Sequence, residues 1–321
     1  MMQNSLAIIV LCSHLCAGDN VKPFEPAEWT MFAQKLEDQK IQPCELLSFS
    51  DDDFKVQLDL SMDEAQRITK LIERCGSITF EIKKYADMGI NIMTRADVHY
   101  PKALKKKLGK SCPPILYYAG NPELSDRKCV GFVGSRSIGA DDEVFTAATV
   151  RKINEKGYSV VSGGARGVDS LASEISIANG GCSVEYVPDS LVSRVKSRAA
   201  ISAVTNNRLL ILSAVKPDSR FFTGFAMMRN KYIYAHSDGT VIVKSDYNKG
   251  GTWNGAIANL KQRLCNTFCW NNPEYEGNAE LIKRGAIPID DSWSGDPAEY
   301  EARQVEAPEQ LSLYIPAGGF F

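Results

Sequence analysis

Two stretches decide the fold of this 321-residue chain: Cys129-Val-Gly-Phe-Val-Gly-Ser-Arg136 and Tyr158-Ser-Val-Val-Ser-Gly-Gly-Ala-Arg-Gly-Val-Asp169. Each begins with an apolar run typical of a buried strand and ends in a glycine-rich turn. The segment between them has the length and the amphipathic pattern of one helix, so the order strand, turn, helix is predicted to repeat. Both turns would then lie at the carboxyl ends of neighbouring parallel strands, the edge at which open α/β sheets bind ligands.

Each glycine-rich turn carries an arginine, Arg136 in the first and Arg166 in the second. Backbone N–H groups together with a guanidinium suit a phosphate group or a phosphodiester backbone. Neither turn has the spacing of a dinucleotide-binding fingerprint or a P-loop, so NAD or ATP chemistry is not predicted and no cofactor is expected. The turns therefore predict a phosphate-type site, although Asp169 also fits a helix cap and Arg166 a solvated surface charge. The candidate residues in the turns are Gly134, Ser135, Arg136, Ser137, Gly163, Gly164, Arg166, Gly167 and Asp169.

The composition is that of an ordinary globular protein, 44% hydrophobic and 24% charged, with a formal net charge of −2. Such a chain has no overall basic field with which to hold nucleic acid, so any nucleic-acid site must be a local patch. The nine cysteines are scattered through predicted helices and strands and do not indicate a disulfide framework, so a reducing cytoplasm is expected. No metal site is predicted at Cys12, His14 and Cys16, because the histidine would point away from the helix face that the two cysteines share.

The amino-terminal stretch from Met1 to His14 contains an apolar run that superficially resembles a secretion signal. No lysine or arginine precedes this run, and His14 interrupts its end. A buried first helix is predicted instead. No later stretch is long enough to span a bilayer, so no membrane contact is expected.

Three zones are predicted along the chain. Residues 1–84 carry apolar residues at helical spacing, with a capping-box pattern at Ser61-Met-Asp-Glu64, and form a small all-helical domain. Residues 85–290 alternate strands with helices, which predicts an α/β fold with a doubly wound, mostly parallel sheet. Residues 291–321 are acidic, carry three prolines and show no amphipathic period, so a flexible tail is predicted there. Besides the strands before the glycine-rich turns, strands are predicted at 91–94, 115–119, 182–187, 209–213, 240–244 and 266–270.

A lysine-rich helix is predicted at residues 101–110. Its basic residues would cover more than one helix face, and they are Lys102, Lys105, Lys106, Lys107 and Lys110. Such runs are usually solvated surface, and contact with DNA is the alternative. In the second case the affinity for DNA would fall steeply with added salt.

Four motifs follow one another between residues 97 and 169. They are Asp97-Val-His-Tyr-Pro-Lys102, Pro114-Ile-Leu-Tyr-Tyr-Ala-Gly-Asn-Pro122, Val133-Gly-Ser-Arg136 and Val161-Ser-Gly-Gly-Ala-Arg-Gly-Val-Asp169. Two later segments extend the series, Arg229-Asn-Lys231 and Gly277-Asn-Ala-Glu-Leu-Ile-Lys-Arg-Gly-Ala286. In this order the motifs resemble the DprA/Smf DNA-processing family, a group within the Rossmann-like SLOG superfamily. The resemblance covers residues 88 to 290.

The resemblance implies an extended Rossmann-like domain that binds single-stranded DNA without catalysing a reaction, commonly as a homodimer. It also implies a small first domain of the SAM or helix-hairpin-helix kind, and transfer of the strand to the RecA recombinase in recombination and natural transformation. By matching position, Arg136 would grip the DNA backbone. The pocket would be completed by Gly163, Gly164, Arg166, Arg229, Asn230 and Lys231. Candidates for base stacking, with the core as the alternative, are Phe221, Phe222, Phe225, Tyr232 and Tyr234.

Two segments depart from the family pattern. Where the family usually has Tyr-Pro-Lys after its third strand, this chain has basic residues that would substitute as phosphate contacts. They are Arg194, Lys196 and Arg198. Where the family has Ser-Gly-Ser/Thr, this chain has Lys249-Gly-Gly-Thr252, which adds Gly250, Gly251 and Thr252 to the candidates. These departures are typical of a divergent member, and phage defence joins recombination and transformation as a candidate role.

The turn Lys249-Gly-Gly-Thr252 also fits a different class of function, a nucleotide sensor or hydrolase. Related LOG-type proteins hold nucleotide phosphates with a Gly-Gly-x-Gly-Thr turn and hydrolyse a glycosidic bond. Hydrolysis needs a carboxylate beside the sugar, and the sequence Trp-Asn-Gly-Ala-Ile-Ala after Thr252 contains none. An enzyme is therefore not predicted, and a nucleotide sensor stays the alternative to strand binding.

The carboxyl-terminal segment Gln310-Leu-Ser-Leu-Tyr314 resembles the peptide with which many bacterial DNA-processing proteins dock on the sliding clamp. A flexible segment would insert Leu313 and Tyr314 into an apolar pocket while Gln310 makes polar contacts. Leu311 belongs to the same motif. The alternative is that this segment packs back on the domain.

Overall fold

The computed structural model describes residues 3–16 and 21–300, and a nine-stranded sheet dominates this part of the chain. The strands are β1 (Asn91–Thr94), β2 (Ile115–Gly120), β3 (Cys129–Val133), β4 (Ser159–Ser162), β5 (Ser183–Tyr186), β6 (Leu209–Ser213), β7 (Gly239–Ile242), β8 (Asn266–Trp270) and β9 (Ile287–Ile289). The predicted strands are all present. β9 was not predicted, because three residues with a proline at their centre leave no readable apolar run.

The sheet is mostly parallel, in the order β1-β2-β6-β5-β4-β3-β7-β8-β9. β2 runs antiparallel to both β1 and β6, and the other neighbours are parallel. From β3 the chain winds outward through β4, β5 and β6, and then returns to β7 on the opposite side of β3. This reversal makes a topological switch point beside the carboxyl end of β3. The predicted doubly wound α/β fold is confirmed.

Helices cover both faces of the sheet and fill the amino-terminal part. They are α1 (Gln3–Cys12), α2 (Pro26–Asp38), α3 (Asp51–Leu58), α4 (Met62–Glu73), α5 (Cys75–Ala86), α6 (Lys102–Leu108), α7 (Ala140–Glu155), α8 (Val168–Ala178), α9 (Leu191–Val195), α10 (Arg198–Thr205), α11 (Thr223–His236), α12 (Gly250–Gln262) and α13 (Glu276–Lys283). The predicted capping box opens α4, where the Ser61 backbone N–H donates to the Glu64 carboxylate at 2.9 Å. None of the helices in the described residues is long and apolar enough to cross a membrane.

The first helix, α1, is buried as predicted, and Ile9, Val10 and Leu11 have no exposed surface. Near the carboxyl end of α1, the Arg74 guanidinium donates to the Val10 carbonyl oxygen at 2.6 Å. The apolar cluster around α1 continues into the sheet through residues of β1, β2 and β6. The described residues up to 84 are therefore mainly helical, while their core is continuous with that of the sheet. Their independence as a domain stays a prediction.

Residues 291–300 correct the predicted start of the tail. Trp293 is buried and its ring stacks on Phe268 of β8, with 5.0 Å between ring centroids. The Tyr158 hydroxyl donates to the Asp296 carboxylate at 2.9 Å. The prediction of a flexible tail from residue 291 is therefore wrong for residues 291–300. One tryptophan and one aspartate of this otherwise polar segment contact residues of the sheet region.

The remaining tail, residues 301–321, lies outside the described residues. The clamp-docking motif formed by Gln310, Leu311, Leu313 and Tyr314 falls within it. The docking of this motif therefore stays a prediction.

Candidate nucleic-acid interface

The two glycine-rich turns lie against each other at the carboxyl ends of β3 and β4. The Val168 backbone N–H donates to the Ser135 carbonyl oxygen at 3.3 Å. A side chain on Gly167, whose φ is +91°, would place its Cβ 2.3 Å from the same oxygen. A Cβ on Gly134 would lie 2.4 Å from the Val168 side chain. These two glycines are therefore required by the contact between the turns, which sets the spacing of Arg136 from the second turn.

A buried ion pair lies beneath the second turn. The Arg229 guanidinium on α11 approaches the Asp169 carboxylate at 3.4 Å, and this carboxylate also accepts from the Gly163 backbone N–H at 3.1 Å. Burial raises the pKa of Asp169 and lowers that of Arg229, and each partner's charge partly offsets the effect. The guanidinium stays protonated at neutral pH. A Cβ on Gly163 would lie only 1.0 Å from Arg229 Nη1, which explains the glycine.

The larger of two openings at this edge, here called the outer cleft, has a volume of about 940 Å³. It runs from the two turns to the segments that follow β5 and β6. Five arginines line it, and they are Arg136, Arg166, Arg194, Arg220 and Arg229. Two aspartates, Asp189 and Asp218, also line it. The outer cleft is therefore a local positive patch on a chain whose net charge is −2.

The five arginines differ in what their guanidinium groups contact. Arg136, Arg166 and Arg220 are exposed and form no ion pair with the residues that the structure describes. The half-buried Arg194 donates to both oxygens of Glu185 on β5, at 2.9 Å each. Arg194 therefore fixes the wall of the cleft, and it is less available to a ligand than predicted. Of these five, the exposed guanidinium groups without an ion-pair partner in the described part of the chain are therefore those of Arg136, Arg166 and Arg220.

The smaller opening, here called the inner crevice, has a volume of about 430 Å³ and lies at the switch point between β3 and β7. Ten of the residues that the sequence predicted for the site line this crevice, and they are Gly134, Ser135, Arg136, Ser137, Asp169, Arg229, Asn230, Gly250, Gly251 and Thr252. The amino end of α12 is tied to the first turn, because the Thr252 hydroxyl donates to the Gly134 carbonyl oxygen at 3.0 Å. Arg136, Ala165 and Arg229 line both openings and separate them.

Several predicted residues are not brought to either opening. Lys196 and Arg198 are exposed and line neither, and the Lys231 ammonium instead donates to the Ser111 hydroxyl at 3.2 Å. The lysine-rich helix α6 lies toward the opposite edge, since Lys107 donates to the carbonyl oxygen of Ser237, just before β7, at 2.7 Å. Lys196, Arg198 and Lys231 therefore lie outside both openings, and their contact with a phosphate stays a prediction.

The aromatic candidates divide into two groups. Tyr232 and Tyr234 are buried in the core. Phe221 and Phe222 are exposed, by 54% and 62%, and Phe221 lines the outer cleft. Phe225 is half-buried and contacts Phe222 edge-on, with 5.4 Å between centroids. Two phenylalanines therefore offer ring faces to solvent beside the arginines.

Sequence reasoning missed three basic residues, Arg220 beside the outer cleft and Lys244 and Lys249 beside the inner crevice. A signal for them was present in the sequence. Loops that follow parallel strands share one edge of the sheet, and these residues follow β6 and β7. The same rule that brings Arg136 and Arg166 to this edge therefore brings these three residues there as well.

Comparison with known proteins identifies the family to which this chain belongs. A family model described as DNA recombination-mediator protein A matches residues 91–294. The DNA processing protein DprA of Bacillus subtilis (strain 168) is 24% identical over 217 residues, which cover 66% of this chain and 71% of that protein.

Two solved structures are similar in fold. DNA processing protein A from Streptococcus pneumoniae has a TM-score of 0.62 and 19% identity, and the match covers 87% of this chain and 99% of that one. DNA processing protein A from Helicobacter pylori, solved to describe its single-stranded DNA binding mode, has a TM-score of 0.53 and 27% identity. That match covers 62% of this chain and 90% of the other. Since the family model spans both openings and more than half of the sequence, the chain belongs to the DNA recombination-mediator protein A family, the DprA family of DNA-processing proteins.

Proposed function

We propose that this protein binds single-stranded DNA in the outer cleft and does so without altering the strand chemically. The observation that carries the proposal is the group of exposed guanidinium groups of Arg136, Arg166 and Arg220, with the ring of Phe221 beside them. Proteins that bind single strands combine a positive groove for the backbone with aromatic faces for the bases. The Helicobacter pylori relative, 27% identical, binds single-stranded DNA.

Each part of the outer cleft has a distinct role in this proposal. Arg136, Arg166 and Arg220 contact successive phosphates, and Phe221 and Phe222 stack on bases. Stacking requires bases that are free of a complementary strand, so single strands are preferred over duplexes. The buried pair of Arg229 and Asp169 supports the floor and holds the second turn in place.

The wider role we propose follows from family membership. The strand would be passed to the RecA recombinase during recombination or natural transformation, and phage defence is the alternative setting. Assembly as a homodimer rests on the same resemblance. Docking on the sliding clamp rests on the sequence Gln310-Leu-Ser-Leu-Tyr314.

Titration with labelled DNA at several salt concentrations tests the proposal. Fluorescence anisotropy would compare a single-stranded oligonucleotide, its duplex and the matching mononucleotide. Three phosphate contacts predict that the logarithm of affinity falls with the logarithm of salt concentration with a slope of about −2. Preference for the duplex, or binding that does not change with salt, would contradict strand binding by these arginines.

A further inference from the structure

The inner crevice has hydrogen-bonding capacity that strand binding in the outer cleft does not use. We propose that it binds the phosphate monoester of a nucleotide, carried either by the phosphorylated end of a single strand or by a free nucleoside monophosphate. For the strand end, this inference rests on the proposed function. The crevice volume of about 430 Å³ lies in the lower part of the range for small-ligand pockets.

The first support is the incomplete pairing of Arg229. This residue is only 7% exposed, and its Nε–H group has no hydrogen-bond partner among the described residues. Its contact with Asp169, at 3.4 Å, engages Nη1 and leaves other donors of the fork unused. Buried donors are nearly always paired, so an unpaired guanidinium N–H in the wall of a crevice indicates a missing anionic partner.

The second support is the hydroxyl group of Tyr234, another residue that lines the crevice. Tyr234 is 2% exposed, and its hydroxyl also finds no partner within residues 3–16 and 21–300. Burial raises the pKa of Tyr234, so the hydroxyl stays protonated and able to donate. Two residues that line the same small crevice therefore each carry a buried donor without a partner among the described residues.

The third support is the amino end of α12. Gly250, Gly251 and Thr252 begin this 13-residue helix and line the crevice. The first N–H groups of a helix have no intrahelical partner, and the helix dipole favours an anion there. Gly250 has a φ of +83°, and a Cβ added to it would meet no neighbouring atom within 4 Å, so the approach to these N–H groups is open.

Two of the cationic side chains around the crevice, Arg136 and Lys249, form no ion pair with the described residues, and a dianion would compensate both. Four cationic side chains line it, those of Arg136, Arg229, Lys244 and Lys249, against the carboxylates of Asp169 and Asp246. Lys244 also lies 3.4 Å from Asp142, a contact that offsets part of its charge. A phosphate monoester carries close to two negative charges at neutral pH and three acceptor oxygens, whereas a backbone diester carries one charge. The site therefore favours a terminal or free phosphate over a phosphate within a strand.

The test compares otherwise identical oligonucleotides that carry a phosphate at the 5′ end, a phosphate at the 3′ end, or hydroxyl groups at both ends. Calorimetric titration with thymidine monophosphate and with thymidine runs in parallel and identifies a free mononucleotide as the source. We expect either about tenfold tighter binding of one phosphorylated strand, or heat of binding for the monophosphate and none for thymidine. Equal affinity of the three strands together with no heat of binding for the monophosphate would overturn the proposal.

Single-residue variants distinguish binding in the inner crevice from binding in the outer cleft. Lys249→Ala and Tyr234→Phe should abolish the preference for the monoester while changing the affinity for the hydroxyl-ended strand by less than about twofold. Lys261→Ala, in the exposed last turn of α12, is the matched control and should keep the preference. A preference that survives in both crevice variants would overturn the assignment.

The failure of strand binding would be distinguishable from the failure of the crevice. If no oligonucleotide binds, the proposed function fails, and calorimetric titration with thymidine monophosphate alone then tests the crevice. Heat of binding in the wild type that is lost in Lys249→Ala would support the monoester site. The absence of heat in the wild type would overturn it.

Discussion

At the scale of single residues, Gly163 is the position on which the candidate interface depends most closely. Its Cα lies where the Arg229 guanidinium passes beneath the second turn, and its N–H donates to Asp169. Its glycine identity is therefore explained by packing within the protein, before any ligand is considered. The same contact holds the wall that separates the outer cleft from the inner crevice.

Replacing Gly163 by alanine is expected to lower the free energy of unfolding by about 3 kcal/mol, because Arg229 would have to leave Asp169 and leave a buried charge unpaired. Unfolding in urea, followed by circular dichroism, measures the change. Gly76→Ala is the control, since this glycine in α5 has open space around it, and the variant should gain about 0.5–1 kcal/mol. Similar small effects of both substitutions would contradict the packing argument.

A second residue, His236, connects pH with stability. Its Nε2–H donates to the Ser125 carbonyl oxygen at 3.1 Å, and its Nδ1 lies 2.8 Å from the Tyr186 hydroxyl, from which it accepts when the ring is neutral. Burial lowers the pKa of His236 to about 4. Between about pH 6.5 and pH 4 the unfolded chain binds a proton that the folded chain does not, so acidification favours unfolding in this window.

The histidine is expected to contribute a loss of about 3 kcal/mol in unfolding free energy as the pH falls from about 6.5 to 4, with no further loss below that. His236→Gln, which keeps a donor and an acceptor, should remove this part of the pH dependence. Urea unfolding of both proteins across the pH range measures the difference. Parallel pH profiles for the wild type and the variant would show that the histidine is not responsible.

At the scale of secondary structure, the strands were predictable because each is an apolar run bounded by turn residues. The site was only partly predictable. The sequence places Arg136 and Arg166 in turns at one edge of the sheet, as the structure does. It does not show that the Arg229 side chain is buried under Gly163, or that Arg194 pairs with Glu185 rather than with a ligand. Those outcomes depend on contacts between residues distant in the chain.

The pair formed by Glu185 and Arg194 joins three elements beside the outer cleft. Glu185 is buried at the end of β5, accepts from Arg194 on α9, and also accepts from the Ser173 hydroxyl on α8 at 3.0 Å. A buried carboxylate with a bidentate arginine is a strong, geometrically specific contact. This pair therefore holds the short helix α9 to the sheet together with the buried side chain of Leu191.

A double-mutant cycle with Glu185→Gln and Arg194→Gln is expected to give a coupling energy of about 1–3 kcal/mol, because either change alone leaves a charged partner without its counterpart. Equilibrium unfolding of the four proteins provides the values. Effects that add within about 0.5 kcal/mol would mean that the pair does not hold α9 in place.

At the scale of the whole molecule, the charge distribution matters more than the total charge. The chain carries a formal net charge of −2, yet five arginines gather around the outer cleft. The helical amino-terminal part packs on the far strands of the same sheet and shares its core. A chain without an overall basic field thus has a local positive region at the outer cleft, and strand binding is expected to depend on that region.

The most direct test of strand binding compares Arg136→Ala with Arg151→Ala, an exposed arginine on α7 that lines neither opening. Anisotropy titration with a single-stranded oligonucleotide measures the dissociation constant of each variant. We expect Arg136→Ala to weaken binding about tenfold or more, since it removes a charge-assisted contact with phosphate, and Arg151→Ala to leave the affinity nearly unchanged. Equal affinities for the two variants would contradict the assignment of the outer cleft as the strand-binding site.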